Sequence, residues 1–126
     1  MRTTVKTTKA PAPIGPFSQA TIAGNLVFVS AQFSLDPSTG KFVMENIESE
    51  TTQVMENIKA ILAEAGVGFS HVVKSSIFLK DMQDYAKVNG IYGSYFTEPF
   101  PARETIQVGA LPKNVNIEIS VIAVKN

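Results

Sequence analysis

The sequence contains no cysteine and a single histidine, His71. Without cysteine, the chain has no disulfide, thiolate zinc site, iron–sulfur cluster or cysteine nucleophile. A lone histidine excludes a multi-histidine metal site, and it also excludes a ribonuclease site built on two histidines. His71 lies between Ser70 and Val72 at the entrance to a predicted strand. We expect it to face solvent, and we assign it no role.

The sequence also has no excess of either charge, because 11 basic and 11 acidic residues give a formal net charge of zero. No general field therefore attracts nucleic acid or an anionic membrane. No apolar run reaches the roughly 18 residues that a membrane span needs, and the N-terminus lacks the apolar stretch of a signal peptide. The length of 126 residues predicts one domain, 1–126, with a core that needs no covalent staples. We expect a cytoplasmic protein without a membrane partner.

The hydrophobic pattern predicts two helices. Between Ser49 and Ala65, apolar residues recur at helical spacing, and Gly66 follows as the expected stop. A second helix is predicted to begin at Asp81, with a buried stripe of Tyr85, Val88, Tyr92 and Phe96. The predicted strands are 1–6, 18–22, 26–30, 72–79, 103–108 and 116–124.

This order predicts an α+β fold in which two helices pack on one face of a mixed sheet. Two helices cannot cover both faces of five or six strands. The 26–30 stretch is almost wholly apolar, which predicts burial on both faces. In the last strand, Ile117, Ile119 and Val121 lie on one face, while Ile122 and Val124 lie on the other. We therefore expect the second face to meet another subunit.

Two charged residues are candidates for chemistry. Arg103 follows Phe100-Pro101-Ala102, so a stiff segment sets the position of a guanidinium that can hold a carboxylate or phosphate. A surface salt bridge is the alternative for this residue. Glu118 lies in the middle of an apolar strand. It is either a solvated residue on a polar strip or a carboxylate at a cleft, where burial would raise its pKa and make it a better proton acceptor.

Several stretches together resemble the Rid family, the reactive intermediate imine deaminases, also called YjgF or L-PSP. The resemblance covers nearly the whole chain in the family's order and is greatest for the RidA branch. It rests on Ala12-Pro13-Ile14-Gly15-Pro16-Phe17-Ser18-Gln19-Ala20, Asn57 to Leu62 with Ala65-Gly66, Val73-Lys74 through Met82, Val88-Asn89 with Tyr92 and Phe96, Phe100 to Arg103, and Leu111-Pro112 with Ile117-Glu118-Ile119.

This resemblance implies a β-α-β-α-β-β core like that of the small trimeric chorismate mutases, assembled as a homotrimer with its sites in clefts between subunits. It implies hydrolysis of 2-imino or 2-enamino acids, such as 2-aminoacrylate, to 2-oxo acids and ammonia. Neither a metal nor an organic cofactor is needed. The expected partner is a small 2-imino or 2-oxo acid.

Carried over by residue, Arg103 would bind the substrate carboxylate and Glu118 would position or activate water. Ser30 and Asn89 match polar positions that line the family's cleft. Thr105 stands where the RidA branch commonly has cysteine, and Phe17 stands where many members have tyrosine. Two further departures from the family pattern are Ala31, in place of a glycine, and Ser120, in place of a second glutamate.

Two other functions stay open at this point. The first is a trimer that binds small carboxylates without catalysing a reaction. The departures from the family pattern at Phe17 and Ala31 favour this alternative. The second is an endoribonuclease or translation inhibitor, as the name L-PSP implies for some relatives. The zero net charge and the absence of an aromatic-plus-basic strand motif argue against nucleic acid as a partner.

Overall fold

A computed structural model of the chain describes residues 2–126. Six strands form one sheet in the order β1-β2-β3-β6-β4-β5. Strands β4 and β5 are parallel, and the other neighbours are antiparallel. The sheet is therefore mixed, as predicted. The strands are β1 (Arg2–Val5), β2 (Ala20–Ala23), β3 (Leu26–Gln32), β4 (Val72–Leu79), β5 (Ala102–Gln107) and β6 (Ile117–Val124).

The first helix, α1, spans Ile47–Glu64. It begins because the side chain of Asn46 accepts a hydrogen bond from the Ser49 amide at 2.8 Å. It ends before Gly66, whose φ of +83° is the left-handed conformation that glycine adopts without strain. The predicted apolar stripe is confirmed, since the side chains on this face are fully buried against the sheet: Val54, Ile58, Ile61 and Leu62.

The second helix, α2, spans Tyr85–Gly93 and is preceded by one 3-10 turn, Met82–Asp84. The Asp81 side chain caps that turn by accepting from the Gln83 amide at 2.9 Å. Val88 and Tyr92 are buried as predicted, but Tyr85 is 41% exposed. Placing Tyr85 on the buried stripe was wrong, because it lies at the first residue of the helix, beside the outermost strand.

Strand β6 alternates strictly between the two faces of the sheet. Ile117, Ile119, Val121 and Ala123 are buried beneath the helices, whereas every second residue is only partly covered. The opposite side, called here the helix-free face, carries Glu118, Ser120, Ile122 and Val124 from β6. The two-faced apolar character of this strand is thus confirmed.

Strand β3 departs from the expectation of burial on both faces. Val27 and Val29 are buried, but Phe28, which pairs with Ile122, is 38% exposed on the helix-free face. The expectation was wrong for the single chain, because both helices lie on the other side. The β3–β6 register also shifts between Val29 and Gln32, which places a bulge at Ser30 and Ala31.

A buried carboxylate ties α1 to the start of β6. Glu50 has no exposed surface, and its two oxygens accept hydrogen bonds from the backbone and side-chain amides of Asn116, each at 2.8 Å. The pairing satisfies a carboxylate that would otherwise be costly to bury. It fixes the chain two residues before Glu118.

Within residues 2–126, the helices are too short or too polar to cross a bilayer.

Candidate active site

Arg103 projects from β5, the last strand of the sheet, towards α2. Its strand neighbour Ser75 lies on the helix-covered face and accepts a 2.8 Å hydrogen bond from the Tyr92 hydroxyl. The guanidinium carbon of Arg103 lies 5.1 Å from the centre of the Tyr92 ring and 5.6 Å from that of Tyr85. Cation–π attraction to both rings restrains a side chain that is otherwise flexible.

The neighbouring acid, Glu104, does not neutralise Arg103. It points to the helix-free face, where it forms an ion pair with Lys74 at 3.1 Å and accepts a hydrogen bond from Ser76. The Ser76 hydroxyl and the Lys74 ammonium lower the pKa of Glu104. Among the described residues, Arg103 forms no ion pair. Its charge is therefore available to a ligand, and the interpretation of Arg103 as an intramolecular salt bridge is not supported.

Thr105 and Asn89 lie on the same side of the sheet as Arg103. Thr105 is two residues further along β5, and its Oγ1 is buried with no hydrogen-bond partner in the described part of the chain. Asn89 is half-buried on α2, one helical turn after Tyr85. Together, β5 and α2 present a guanidinium, a hydroxyl and an amide near one edge of the sheet.

Glu118 lies on the helix-free face, near the middle of the sheet, opposite Phe78 of β4. It is half-buried, and burial raises the pKa of its carboxyl. Burial is the single cause of this shift, and no hydrogen bond from residues 2–126 contributes to it. A desolvated, unpaired carboxylate is a better proton acceptor than a solvated one.

Phe17 and Ser30 line a groove of about 470 Å³ between the N-terminal loop and the end of β3. Phe17 is 50% exposed. Ser30 sits in the bulge of β3 and donates its hydroxyl hydrogen to the Ser18 carbonyl at 2.7 Å. The remaining lining is mainly apolar: Pro11, Ala12, Pro13, Ile14, Gln19, Ala31, Gln32, Phe33, Leu35, Phe42, Pro112 and Lys113.

The wall of this groove is held by Gln19, which is 2% exposed. Its amide nitrogen donates to the carbonyls of Thr7 and Pro11 at 3.0 and 2.9 Å, and its Oε1 accepts from the Thr7 amide at 2.7 Å. A loop rich in proline has few amides of its own for backbone pairing. One buried glutamine side chain therefore supplies the hydrogen bonds that shape it.

The six predicted site residues thus fall into separate regions. Arg103, Thr105 and Asn89 lie on the helix-covered side, and Glu118 lies on the opposite face of the same sheet. Arg103 and Glu118 cannot act on one small molecule within a single chain, because the sheet separates them. Sequence reasoning missed the contact of Tyr85 with Arg103. The one signal in the sequence was that Tyr85 lies four residues before Asn89, which places it on the same helix face as a predicted cleft residue.

His71 has a structural role, since its Nδ1 accepts a hydrogen bond from the Gly68 amide at 3.1 Å. It is partly covered by the chain and lies in a short 3-10 turn, Phe69–His71. The part of the chain that the structure describes contains no group of histidine, aspartate and glutamate side chains with metal-site geometry.

The chain matches the model of one protein family, described as Endoribonuclease L-PSP, over residues 7–125. It is 53% identical over 119 residues to Reactive Intermediate Deaminase A of Arabidopsis thaliana, covering 94% of this chain and 64% of the plant protein. It is 42% identical over 125 residues to the 2-iminobutanoate/2-iminopropanoate deaminase of Bos taurus, covering 99% and 91% of the two chains.

Solved structures show the same architecture. RidA from an Antarctic Psychrobacter superposes with a TM-score of 0.93 at 42% identity, covering 97% of this chain and 98% of that one. TdcF of E. coli, solved with bound serine, gives 0.94 at 35% identity, covering 98% and 99%. The protein is therefore an α+β domain of the L-PSP type. More closely, the chain belongs to the Rid family, whose members include named imine deaminases.

Proposed function

We propose that this protein hydrolyses 2-imino acids, and their 2-enamino tautomers, to 2-oxo acids and ammonia. The observation that carries the proposal is Arg103, a guanidinium positioned by a stiff segment and two tyrosine rings and free of any acidic partner within residues 2–126. A planar guanidinium binds a carboxylate through two parallel hydrogen bonds. Membership of a family that contains named imine deaminases supports this reaction class.

In the proposed mechanism, Arg103 holds the substrate carboxylate and so fixes the orientation of the imine carbon. A water molecule, held by Glu118 and by backbone groups near Thr105, attacks that carbon. As the carbon–oxygen bond forms, the π electrons move to nitrogen, and Glu118 takes a proton from the water. Glu118 returns that proton to nitrogen, which gives a neutral carbinolamine. It then takes the hydroxyl proton of the carbinolamine and passes it to nitrogen, and the carbon–oxygen double bond forms as the carbon–nitrogen bond breaks and ammonia leaves.

The catalytic demand on the protein is modest. An imine is already electrophilic, so acid–base assistance of about 10²–10⁴-fold is adequate. The balanced reaction consumes only water, and it requires no metal, oxidant or organic cofactor. The raised pKa of Glu118 suits a group that must both accept and return a proton.

The proposed active form is a homotrimer with clefts between subunits. Arg103 and Glu118 lie on opposite faces of the sheet, so one cleft would combine Arg103 of one chain with Glu118 of another. The partly exposed apolar side chains of the helix-free face, Phe28, Ile122 and Val124, support association through that face. A closed cyclic assembly places the same pair of faces together at every interface.

The groove beside Phe17 and Ser30 is proposed to hold the non-carboxylate part of the substrate. The Ser30 hydroxyl already donates its hydrogen to Ser18, so towards a ligand it can only accept. It would therefore receive an N–H of the imine or of the departing amine. Asn89 would line the cleft next to Arg103.

The test couples this protein to a pyridoxal-phosphate dehydratase that releases 2-iminobutanoate from threonine. A nucleophilic trap competes for the imine, and the rate of 2-oxobutanoate formation is followed. The proposal predicts faster 2-oxobutanoate formation and less trapped imine when the protein is added. Binding of 2-oxobutanoate without faster imine loss would instead indicate a carboxylate sensor, and salt-dependent RNA cleavage would indicate a ribonuclease.

A further inference from the structure

Two tyrosines contact Arg103, and they differ in what their hydroxyls do. Tyr92 is 4% exposed, and its hydroxyl donates to Ser75 on the adjacent strand. Tyr85 is 41% exposed, and its hydroxyl accepts a hydrogen bond from Nη2 of Arg103 at 3.1 Å. The buried Tyr92 ring therefore packs against the guanidinium in a fixed position, whereas the exposed Tyr85 binds one guanidinium nitrogen, Nη2, at the surface.

The Tyr85 contact is neutral, which matters for a ligand-binding arginine. A carboxylate at this position would orient the guanidinium but would also cancel its charge. The nearest acid in the sequence, Glu104, is held on the other face by Lys74. A phenol oxygen orients the same group without an opposing charge. The full positive charge of Arg103 then stays available to an anion.

The hydrogen bonds of Arg103 and Tyr85 also leave guanidinium donors for a ligand. A guanidinium carries five N–H donors, and only the bond to Tyr85 is formed from Arg103 within the described range 2–126. That bond fixes the rotation of the guanidinium plane, which ring stacking alone leaves free to turn. The donors on the other edge then keep one direction, as bidentate binding of a carboxylate requires.

We propose that Tyr85 is a positioning residue for carboxylate binding, acting through its hydrogen bond to Arg103 while leaving the charge of the guanidinium unopposed. This inference rests on the proposed function for its substrate, since it concerns the same carboxylate. Tyr85 does not take part in proton transfer. Its effect therefore appears in substrate affinity and not in turnover.

The test uses Tyr85→Phe in the full-length assembly, which keeps the ring and removes only the hydroxyl. Loss of one such hydrogen bond should raise the KM of imine hydrolysis and the Kd of 2-oxobutanoate by about two- to tenfold. The kcat and the melting temperature should stay unchanged, because the hydroxyl is at the surface. Tyr85→Leu, which also removes the ring, should raise both constants further.

Tyr95→Phe is the matched control, since its hydroxyl bonds Glu56 on α1 and is remote from Arg103 in the hydrogen-bond network. It should leave KM and Kd unchanged. An unchanged Kd in Tyr85→Phe, or an equal rise in Tyr95→Phe, would overturn the inference. If the wild-type protein binds 2-oxobutanoate but hydrolyses no imine, the proposed function fails. A weakened Kd in Tyr85→Phe would still support the positioning role.

Discussion

Arg103 and Glu118 extend from opposite faces of the same sheet, with β4 between their two strands. In one chain, each is a charged group without an ionic partner among residues 2–126. The two become one site only if different chains bring these faces together. Their separation therefore links the proposed chemistry to the proposed assembly.

Arg103 provides the first prediction. Arg103→Ala should fold and associate normally but lose nearly all imine hydrolysis, because truncating one partner of a desolvated charge pair costs about 2–5 kcal/mol. Arg103→Lys should lose most activity, since an ammonium lacks the planar pair of N–H donors that binds a carboxylate through two parallel hydrogen bonds. The assay is 2-oxo acid release, measured together with the melting temperature.

Arg2 is the matched control for Arg103, because it is exposed on β1 at the other edge of the sheet. Arg2→Ala should retain full activity. A surface ion pair contributes only about 0–1 kcal/mol, so normal turnover in folded Arg103→Ala would show that Arg103 has a surface role alone.

The position of Arg103 illustrates what the sequence could predict. The proline in Phe100-Pro101-Ala102 is enough to predict a stiff segment before Arg103. The alternation of residues in β6 is enough to predict which side chains lie on each face of the sheet. The fold class, the helix stripe of α1 and the strand order along the chain follow from the same patterns. Each of these features depends on neighbours within a few residues.

The features that sequence reasoning missed depend on distant partners. Glu50 lies in the first turn of α1, where an acid would ordinarily be solvated and favoured by the helix dipole, yet it is fully buried and Asn116, 66 residues away, supplies its two hydrogen-bond donors. Tyr85 was placed on a buried stripe, yet it is 41% exposed at the start of α2, and its hydrogen-bond partner is Arg103 of β5, 18 residues later in the chain. The periodicity of one segment contains no information about such partners.

Glu50 provides the second prediction. Glu50→Ala should destabilise the protein by about 1–3 kcal/mol, since it leaves the partly buried backbone and side-chain amides of Asn116 without their acceptor. Chemical denaturation measures this loss. Glu48→Ala is the control in the same helical turn, because Glu48 is only partly covered and its interaction with the helix dipole is worth about 0.3–1 kcal/mol. Equal losses in the two variants would contradict the account of Glu50.

Glu118 provides a prediction of pH dependence. Burial raises its pKa in the folded state, so folding favours the protonated form, and stability falls as pH rises through that pKa. Glu118→Gln removes the desolvated charge. It should therefore melt at a higher temperature than wild type at pH 7, with the difference disappearing in acid, and it should be catalytically inactive.

Glu104→Gln is the control on the same face and should change stability in the opposite direction. Ser76 and Lys74 lower the pKa of Glu104, so its ionised form stabilises the fold above that pKa. The variant should melt slightly lower than wild type at pH 7 and match it in acid. Thermal melts across pH check both signs, and a lower melting temperature for Glu118→Gln at pH 7 would refute the desolvation argument.

Phe17 provides a prediction of gained function. Its ring is half-exposed on the groove, so Phe17→Tyr adds a hydroxyl without disturbing the core. If that hydroxyl reaches the substrate, the new hydrogen bond should improve affinity by about 0.5–1.5 kcal/mol. Calorimetric titration with 2-oxobutanoate measures the change. Identical affinity and turnover in the two proteins would show that the groove beside Phe17 does not contact the ligand.

The most direct measurement of the central claim uses hybrid assemblies. Arg103→Ala and Glu118→Gln chains, each inactive alone, are co-expressed with different tags, and assemblies that carry both tags are purified. In a mixed cyclic trimer, one interface joins an intact Arg103 to an intact Glu118 of its neighbour, so imine hydrolysis should recover to about one-third of the wild-type rate per trimer. Hybrid trimers with no activity would contradict a site shared between subunits.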